Sequence, residues 1–224
     1  QDSMIHDGLW DIVNDFHMGI SNELCSERYR VSREDQDRYA AESYRRALAA
    51  THSGRFEAEI VPVSIAQRKG GPTIFATDEC ARETSYEAMA KMKPAFKKDG
   101  FGTAGNASII SDGAAAVVVM SREKAHALGC TIMATIGAQA SFGIDMKYVL
   151  VAPIWAIPKC LKKEGLGIDD VDLFEINEAF SGSTVAVMNE LGLSADQTNV
   201  NGGSVALGHP IGASGCRVLV TLLH

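Results

Sequence analysis

The strongest constraint on the fold of this chain is an alternation of apolar runs and helical patterns that begins at Ser111. Residues 114–120 form a continuous apolar run with three consecutive valines, which is typical of a buried strand. Residues 121–128 start with serine and end before Gly129, which predicts a helix, and residues 130–140 again have a strand pattern. Such alternation predicts an α/β fold, in which helices pack against a layer of strands.

The alternation continues to the end of the chain. Residues 153–163 are expected to be helical despite an internal proline, residues 173–176 to form a short buried strand, and residues 179–191 to form a helix closed by Gly192. An apolar helix begins near residue 212 and has no C-terminal cap. A sheet left open there lacks edge partners, so we expect the chain to be part of a longer polypeptide or of a complex.

The first half of the chain has a different pattern, dominated by helices and loops. A capping-box sequence at Ser32 predicts a helix through Ala50, and proline and glycine interrupt much of the sequence between that helix and residue 110. We place a domain boundary near Ile110. Residues 1–110 are then a helix-and-loop insert domain, and residues 111–224 are a C-terminal α/β domain truncated before its last strands.

Composition narrows the classes of function. The chain has 21 Lys and Arg against 28 Asp and Glu, a formal net charge of −7, which argues against broad nucleic-acid binding because phosphate contacts need clustered basic residues. No apolar run reaches the roughly 20 residues of a membrane helix, and the N-terminus lacks a signal-peptide pattern, so no membrane partner is expected. Residues 66–98 are locally basic, which predicts either a small-anion site or a solvated charged surface.

The cysteines indicate the compartment. Cys25, Cys80, Cys130, Cys160 and Cys216 are odd in number, widely spread and free of any C-x-x-C pair, which argues against a disulfide framework and against a structural metal site. We therefore expect a reducing, cytoplasmic location and no metal. All five are expected to be small buried hydrophobic residues.

The densest candidate for a functional site is the glycine-rich stretch 201–215, which contains His209 between Gly208 and Pro210. Glycine lets the backbone approach a ligand closely, and histidine titrates near neutral pH. The stretch lacks the lysine of a P-loop and the spacing of a dinucleotide fingerprint. A structural turn with a surface histidine is the plainer interpretation. A second candidate is Asn177, which follows a predicted strand at the sheet edge where α/β folds build sites.

Four motifs taken together resemble the thiolases, the acyl-CoA C-acetyltransferases that condense acyl-CoA or cleave 3-oxoacyl-CoA. The resemblance runs from about Met4 to the last residue. The motifs are Phe16-His17-Met18-Gly19, Gly105-Asn106-Ala107-Ser108 with Asp112-Gly113-Ala114, Asn177-Glu178-Ala179-Phe180, and Gly208-His209-Pro210 with Gly212 and Ser214-Gly215.

The resemblance implies a thiolase-like fold in which residues 1–110 are the loop domain that contacts coenzyme A. It implies no tightly bound cofactor, with coenzyme A or acyl-CoA as the substrate. The positions that it assigns to ligand contact are Leu9, His17, Met18, Arg82, Phe96, Ala104, Ala107, Ser108, Ala179 and Phe180. The plainer interpretation of these residues is that the apolar ones are core and that Arg82 is solvated.

The resemblance also implies the chemistry, which transfers an acyl group to a cysteine thiolate before a second acyl-CoA attacks as a carbanion. His209 is implied to keep that thiol ionised and to hydrogen-bond the thioester oxygen of the second substrate. Asn177 is implied to hold a water in the same oxyanion hole. A donor positioned at a developing oxyanion contributes about 2.7–4 kcal/mol, so such roles are large.

One departure from the family is decisive for activity. The family's nucleophilic cysteine lies upstream of the loop domain and its second catalytic cysteine lies in a C-x-G-G-G motif, and this sequence has neither. We therefore expect the polypeptide to be inactive alone and to need a missing N-terminal half. The resemblance further implies a homo-oligomer, dimer or tetramer, when the protein is intact.

Two alternatives stay open at this point. One is a non-catalytic acyl-CoA-binding or scaffold subunit that acts through a partner chain. The other is a relative of the ketoacyl synthases, although those proteins generally have histidine at the position of Asn177. The sequence does not distinguish a synthetic from a degradative role. It does not specify the acyl chain length.

Overall fold

The structure is a computed structural model and describes residues 2–224. It contains α-helices and two small antiparallel hairpins, preceded by a π-helical turn at Met4–Gly8. The helices are α1 Met18–Tyr29, α2 Arg33–His52, α3 Tyr86–Ala90, α4 Arg122–Leu128, α5 Pro153–Glu164, α6 Ser181–Leu191, α7 Ser204–Leu207 and α8 Ser214–Leu223. The strands are β1 Trp10–Asp11 paired with β2 Phe16–His17, and β3 Val63–Ile65 paired with β4 Thr73–Phe75. Short 3₁₀ turns lie at Met146–Val151, Ile168–Asp170 and Ala195–Gln197.

The capping residues and terminal glycines of the sequence predict helix ends that the structure confirms. Ser32 caps α2 by accepting a hydrogen bond from the Asp35 backbone N–H at 3.1 Å, and the Asp35 carboxylate accepts one from the Ser32 backbone N–H at 2.9 Å. Gly129 and Gly192 end α4 and α6 in the left-handed conformation, with φ of 66° and 65°. The predicted helices over 32–50, 121–128, 153–163 and 179–191 are therefore confirmed, the last beginning at Ser181.

Helices α1, α2 and α6 pack together and form the core. One apolar cluster joins α2 to α3 and α7, and a second joins α1 and α6 to the turn at 146–151. The first consists of Ala40, Tyr44, Ala47, Met89, Val205 and Ala206, and the second of Cys25, Val31, Val151, Ala186 and Val187. Because α7 lies within the glycine-rich stretch and α6 follows Asn177, this core sets the distance between the two candidate site segments.

The predicted strands over 114–120, 130–140 and 173–176 are wrong for this structure. Residues 114–120 and 130–140 are in no ladder, and 86% of Val118 is exposed. Residues 173–176 make only a single parallel bridge, from Phe174 to Thr198, and Leu173 is 46% exposed. A strand exists only where a neighbouring segment accepts its backbone hydrogen bonds. Among residues 2–224, the runs 114–120 and 130–140 have no such neighbour, and the run 173–176 has backbone hydrogen bonds to one only at Phe174.

The prediction that all five cysteines are buried is also wrong. Cys25 on α1 is buried, Cys130 is exposed, and Cys80, Cys160 and Cys216 are half-buried. Cysteines outside the two apolar clusters have no core to enter, because they lie in loops or on partly covered helices. No helix among residues 2–224 combines the length and apolar character needed to cross a membrane. The domain boundary near Ile110 stays a prediction.

Candidate active site

The two residues singled out for chemistry, His209 and Asn177, lie side by side. His209 Nε2 is 3.4 Å from Asn177 Nδ2, although the residues are 32 positions apart in the chain. The His209 backbone N–H donates to the Ile109 carbonyl at 2.8 Å, which fixes the loop after α7 against the segment that ends at residue 110. The structure therefore joins the glycine-rich motif to the Asn177 motif in one site.

Asn177 is placed by the segment that precedes it. The Ile176 backbone N–H donates to Asn199 Oδ1, and Asn199 Nδ2 donates to the Ile176 carbonyl, both at 2.8 Å. Phe174 adds two backbone hydrogen bonds, to Gln197 and from Asn199. Asn199 therefore acts as a side-chain substitute for a strand partner and holds the Asn177 backbone at a defined position.

Glycine is required at two points of the site. Gly208 has a φ of 100°, and a Cβ there would lie 2.2 Å from Ser111 Oγ. A Cβ on Gly203 would lie 2.4 Å from the Glu178 carboxyl carbon. These two glycines therefore let the backbone on either side of α7 pass close to Ser111 and Glu178.

Glu178, next to Asn177, is a buried anchor. Only 1% of it is exposed, and its carboxylate accepts four hydrogen bonds. The donors are the Tyr39 and Ser43 hydroxyls at 2.7 and 2.8 Å, Asn199 Nδ2 at 2.9 Å and the Val205 backbone N–H at 3.0 Å. A buried carboxylate needs such partners, and here they tie α2, the 199 loop and α7 to the Asn177 segment.

The imidazole of His209 makes a second close contact. Its Nδ1 lies 2.6 Å from Ser214 Oγ, and that hydroxyl donates to the Pro210 carbonyl at 3.0 Å. Burial lowers the pKa of His209 below its ordinary value, and the positive charge of Arg217 lowers it further. The ring is therefore neutral near neutral pH, and Nε2 faces Asn177.

Most of the positions assigned to coenzyme A form a second surface. The His17 ring stacks on Phe96 with centroids 5.3 Å apart, and Phe96 meets Phe180 edge-on at 5.6 Å. The Met18 backbone N–H donates to the Leu9 carbonyl at 2.8 Å, which closes the turn beside them. We call His17, Phe96 and Phe180 the aromatic wall.

The small residues of the Gly105–Ser108 motif lie against the same wall. Ala107 forms an antiparallel bridge with Phe180, and the Ala179 carbonyl accepts hydrogen bonds from both the backbone and the hydroxyl of Ser108, at 3.2 and 2.7 Å. Two motifs about 70 residues apart thus form one continuous edge that leads from the aromatic wall toward Asn177.

Arg82 and Ala104 are placed differently. Arg82 is exposed, with its guanidinium carbon 5.4 Å from the Tyr44 ring centroid on α2, and Ala104 is exposed in the turn that follows Thr103. Among residues 2–224, no hydrogen bond or ring contact joins either of them to the aromatic wall. The structure therefore brings together eight of the ten predicted ligand positions.

An open cavity of about 450 Å³ lies between residues 111–115 and 210–213, the second of which follows His209 in the chain. Within the part of the chain that the structure describes, His, Cys, Asp and Glu side chains do not gather into a group able to hold a metal ion. Sequence reasoning did not single out Ser204, which contacts Asn177, or Arg217, which contacts Ser204. Ser204 lies in the glycine-rich stretch 201–215, but neither residue belongs to one of the four motifs, so only proximity in the fold reveals their roles.

Comparison with known proteins identifies the family. Residues 1–123 match the model of the thiolase N-terminal domain, and residues 130–224 match that of the thiolase C-terminal domain. An acetyl-CoA acetyltransferase of Pseudomonas aeruginosa is 55% identical over 224 residues, and a probable acetyl-CoA acyltransferase of Staphylococcus aureus is 50% identical. These alignments cover all of this chain and 57% of each relative.

Solved structures of thiolases have the same fold as this chain over the part that it covers. The crystal structure of the Bacillus anthracis acetyl-CoA acetyltransferase matches with a TM-score of 0.97 at 42% identity, over all of this chain and 57% of that one. Human mitochondrial 3-ketoacyl-CoA thiolase matches with a TM-score of 0.91 at 37% identity, over 56% of its chain. The predicted thiolase-like α/β fold is thereby confirmed for the portion that this chain covers. The chain belongs to the thiolase family.

Proposed function

We propose that this chain supplies the oxyanion-hole side of an acyl-CoA C-acyltransferase site. The intact protein then carries out the Claisen condensation of two acyl-CoA molecules, or the reverse thiolysis of a 3-oxoacyl-CoA. The observation that carries the proposal is the 3.4 Å contact between His209 Nε2 and Asn177 Nδ2, which joins two of the family motifs.

His209 is suited to two successive roles. As a neutral base, its Nε2 takes the proton of a nucleophilic thiol and leaves a thiolate. The imidazolium that results donates from Nε2 to the thioester oxygen of the second acyl-CoA as enolate charge grows there. Because burial lowers the pKa of His209, the neutral form needed for the first role dominates near neutral pH.

The aromatic wall supports the assignment of coenzyme A as ligand. His17, Phe96 and Phe180 give flat apolar faces, Met18 adds a soft side chain, and the small residues Ala107 and Ala179 leave room along the edge. We assign the pantetheine arm of coenzyme A to this surface, with its thioester end toward Asn177 and its nucleotide end outside. Arg82, being exposed, is proposed to meet the phosphates.

The cysteines of this chain do not serve as the nucleophile in this proposal. Burial raises the pKa of Cys25 to about 12, which keeps it as an unreactive thiol, and the half-buried Cys80 contacts Ser111 Oγ at 3.5 Å. The thiolate is supplied from outside these 224 residues. The polypeptide alone therefore binds acyl-CoA without cleaving it, which is also what a non-catalytic acyl-CoA-binding subunit does.

We further propose a cytoplasmic homo-oligomer, dimer or tetramer, acting in fatty acid metabolism. The hairpin β3–β4 supports the oligomer, because Val63, Ile65, Ile74 and Phe75 are all exposed on it. Analytical ultracentrifugation of the intact protein tests this, with Ile74→Lys as the variant expected to weaken association. An unchanged mass distribution in that variant removes the support that the hairpin gives.

The test of the main proposal measures binding and catalysis separately. Calorimetry with coenzyme A is expected to show binding by this polypeptide, and thiolysis of acetoacetyl-CoA is expected only when the cysteine-bearing part of the protein is present. In that active form, His209→Asn is expected to lower kcat by about 10²–10³-fold. The control is His126→Asn, because His126 is exposed on α4.

Three results decide between the alternatives. Coenzyme A binding with no thiolysis, even with the cysteine-bearing part present, supports the non-catalytic subunit. Absence of binding contradicts both assignments. Equal activities of the His209 and His126 variants contradict the role given to the imidazole.

A further inference from the structure

A chain of hydrogen bonds extends from the Asn177–His209 pair to two residues that the motifs do not include. Asn177 Oδ1 accepts from Ser204 Oγ at 2.6 Å, and Ser204 Oγ accepts from Arg217 Nη2 at 3.2 Å. We propose that Ser204 and Arg217 are positioning residues that act through Asn177 to hold neutral His209 with its proton on Nδ1 and its Nε2 lone pair toward Asn177 Nδ2.

The direction of the hydrogen bonds is determined first from the Ser214 end. The Ser214 hydroxyl donates its proton to the Pro210 carbonyl, 3.0 Å away, because a backbone carbonyl only accepts. Its oxygen then accepts at the 2.6 Å contact with His209 Nδ1. With the bonds in these directions Nδ1 carries the proton, and in the neutral ring Nε2 carries the lone pair.

The direction is determined independently from the Arg217 end. A guanidinium only donates, so it occupies a lone pair of Ser204 Oγ. Asn177 Oδ1 is the acceptor for the Ser204 proton among the hydrogen bonds of residues 2–224. If the Asn177 amide were reversed, the hydroxyl would face two donors and its proton would have no acceptor, at a cost comparable to a lost buried hydrogen bond.

The hydrogen bonds from Ser214 and those from Arg217 favour the same tautomer of the His209 imidazole. Because Ser204 binds Oδ1, the Asn177 amide presents its Nδ2 to His209 Nε2 at 3.4 Å. An amide N–H in this position favours a lone pair on Nε2 of the neutral ring and disfavours a proton there. The opposite tautomer would place two N–H groups face to face. The preference for protonation at Nδ1 is thus set from both sides of the ring, by Ser214 on one side and by Arg217, Ser204 and Asn177 on the other.

Arg217 is itself held in place, as such a role requires. Its Nη1 lies 3.8 Å from Glu175 Oε2 and 3.5 Å from Thr221 Oγ1, and Thr221 in turn contacts Glu59 at 3.1 Å. Ser204 is the first residue of α7 and is fully buried. The buried Ser204 therefore stays against Asn177, and Glu175 and Thr221 keep the Arg217 guanidinium beside it.

This inference rests on the proposed function for its chemical meaning, because an unprotonated Nε2 is what accepts the proton of a thiol. The tautomer can nevertheless be measured without substrate or turnover. Two-bond ¹H–¹⁵N spectra of the polypeptide with labelled histidine distinguish a protonated from a bare ring nitrogen, and the His209→Asn variant assigns the signal among the six histidines. Spectra are recorded at a pH of about 8, above the ordinary histidine pKa.

The expected spectrum of the wild type shows His209 protonated at Nδ1 and bare at Nε2. Ser204→Ala is expected to change the tautomer ratio toward Nε2–H by about threefold or more, which corresponds to the loss of one net hydrogen bond. The matched control is Ser26→Ala, because Ser26 is also buried and accepts a side-chain hydrogen bond, from Gln36 at 3.1 Å. The control is expected to leave the His209 signal unchanged.

Either of two results overturns the inference. One is a wild type in which Nε2 carries the proton. The other is a folded Ser204→Ala variant with the same tautomer ratio as the wild type. If Ser204→Ala does not fold, Arg217→Met replaces it with the same two outcomes. If the wild type shows the expected tautomer but does not bind coenzyme A, the proposed function is contradicted and this inference is not.

Discussion

The carboxylate of Glu178 accepts a hydrogen bond from the Val205 backbone N–H at 3.0 Å, and this contact ties the Asn177 segment to the first turn of α7. Val205 lies in the apolar cluster with Tyr44 and Met89. The helical core and the candidate active site are thus joined at one buried carboxylate, so a change at Glu178 is expected to affect both.

We predict that Glu178→Gln destabilises the protein by about 2–3 kcal/mol, because an amide cannot accept all four hydrogen bonds and places its own donors against existing donors. Urea unfolding measures the loss. The control is Glu34→Gln, where an exposed pair with Arg38 contributes at most about 1 kcal/mol. Equal unfolding free energies for the two variants would falsify the anchoring role.

We predict that Phe96→Ala weakens coenzyme A binding by about fivefold or more, because Phe96 joins His17 and Phe180 in the aromatic wall. Calorimetry measures the affinity. Phe142→Ala is the matched control, since Phe142 also stacks on an aromatic ring, that of Trp155 at 5.7 Å, outside the wall. If both variants bind coenzyme A as the wild type does, the wall is not the binding surface.

We predict that an alkylating agent at a pH of about 8 modifies Cys130 and spares Cys25. Cys130 is exposed, whereas Cys25 is buried on α1 and burial raises the pKa of its thiol to about 12. Mass spectrometry of peptides after a short exposure measures the modification of each site. Modification of Cys25 at the rate of Cys130 in the folded protein would contradict the packing of α1 against α6.

We predict that stability falls with rising pH through Glu175. Burial raises the pKa of Glu175 from 4.5 to about 7, so the folded state holds this proton more tightly than the unfolded state does. The contribution is fully present below pH 4.5 and is lost as the pH rises through about 7, by about 3 kcal/mol.

Urea unfolding of the wild type and Glu175→Gln at low and high pH checks this prediction. The stability of the wild type relative to the variant is expected to be lower at a pH of about 8 than at a pH of about 4. Glu190→Gln, an exposed change on α6, serves as the control and is expected to show the same small difference at both values. A pH-independent difference for Glu175→Gln would rule out the elevated pKa.

Much of the candidate site was predictable because its residues occur in contiguous motifs. His209 was singled out by its glycine-rich setting and Asn177 by its place after a short apolar segment. Ser204 and Arg217 were not predictable in this way, since neither belongs to one of the four motifs and their role depends on contacts across 27 and 13 positions.

The sequence by itself determined where the helices begin and end, because a capping serine or a terminal glycine acts on backbone groups only a few residues away. Tertiary structure decided the rest. Whether an apolar run such as 114–120 becomes a strand depends on a neighbour that accepts its hydrogen bonds, and whether His209 meets Asn177 depends on how α2, α6 and α7 pack. Those interactions join residues distant in the chain, so local pattern does not specify them.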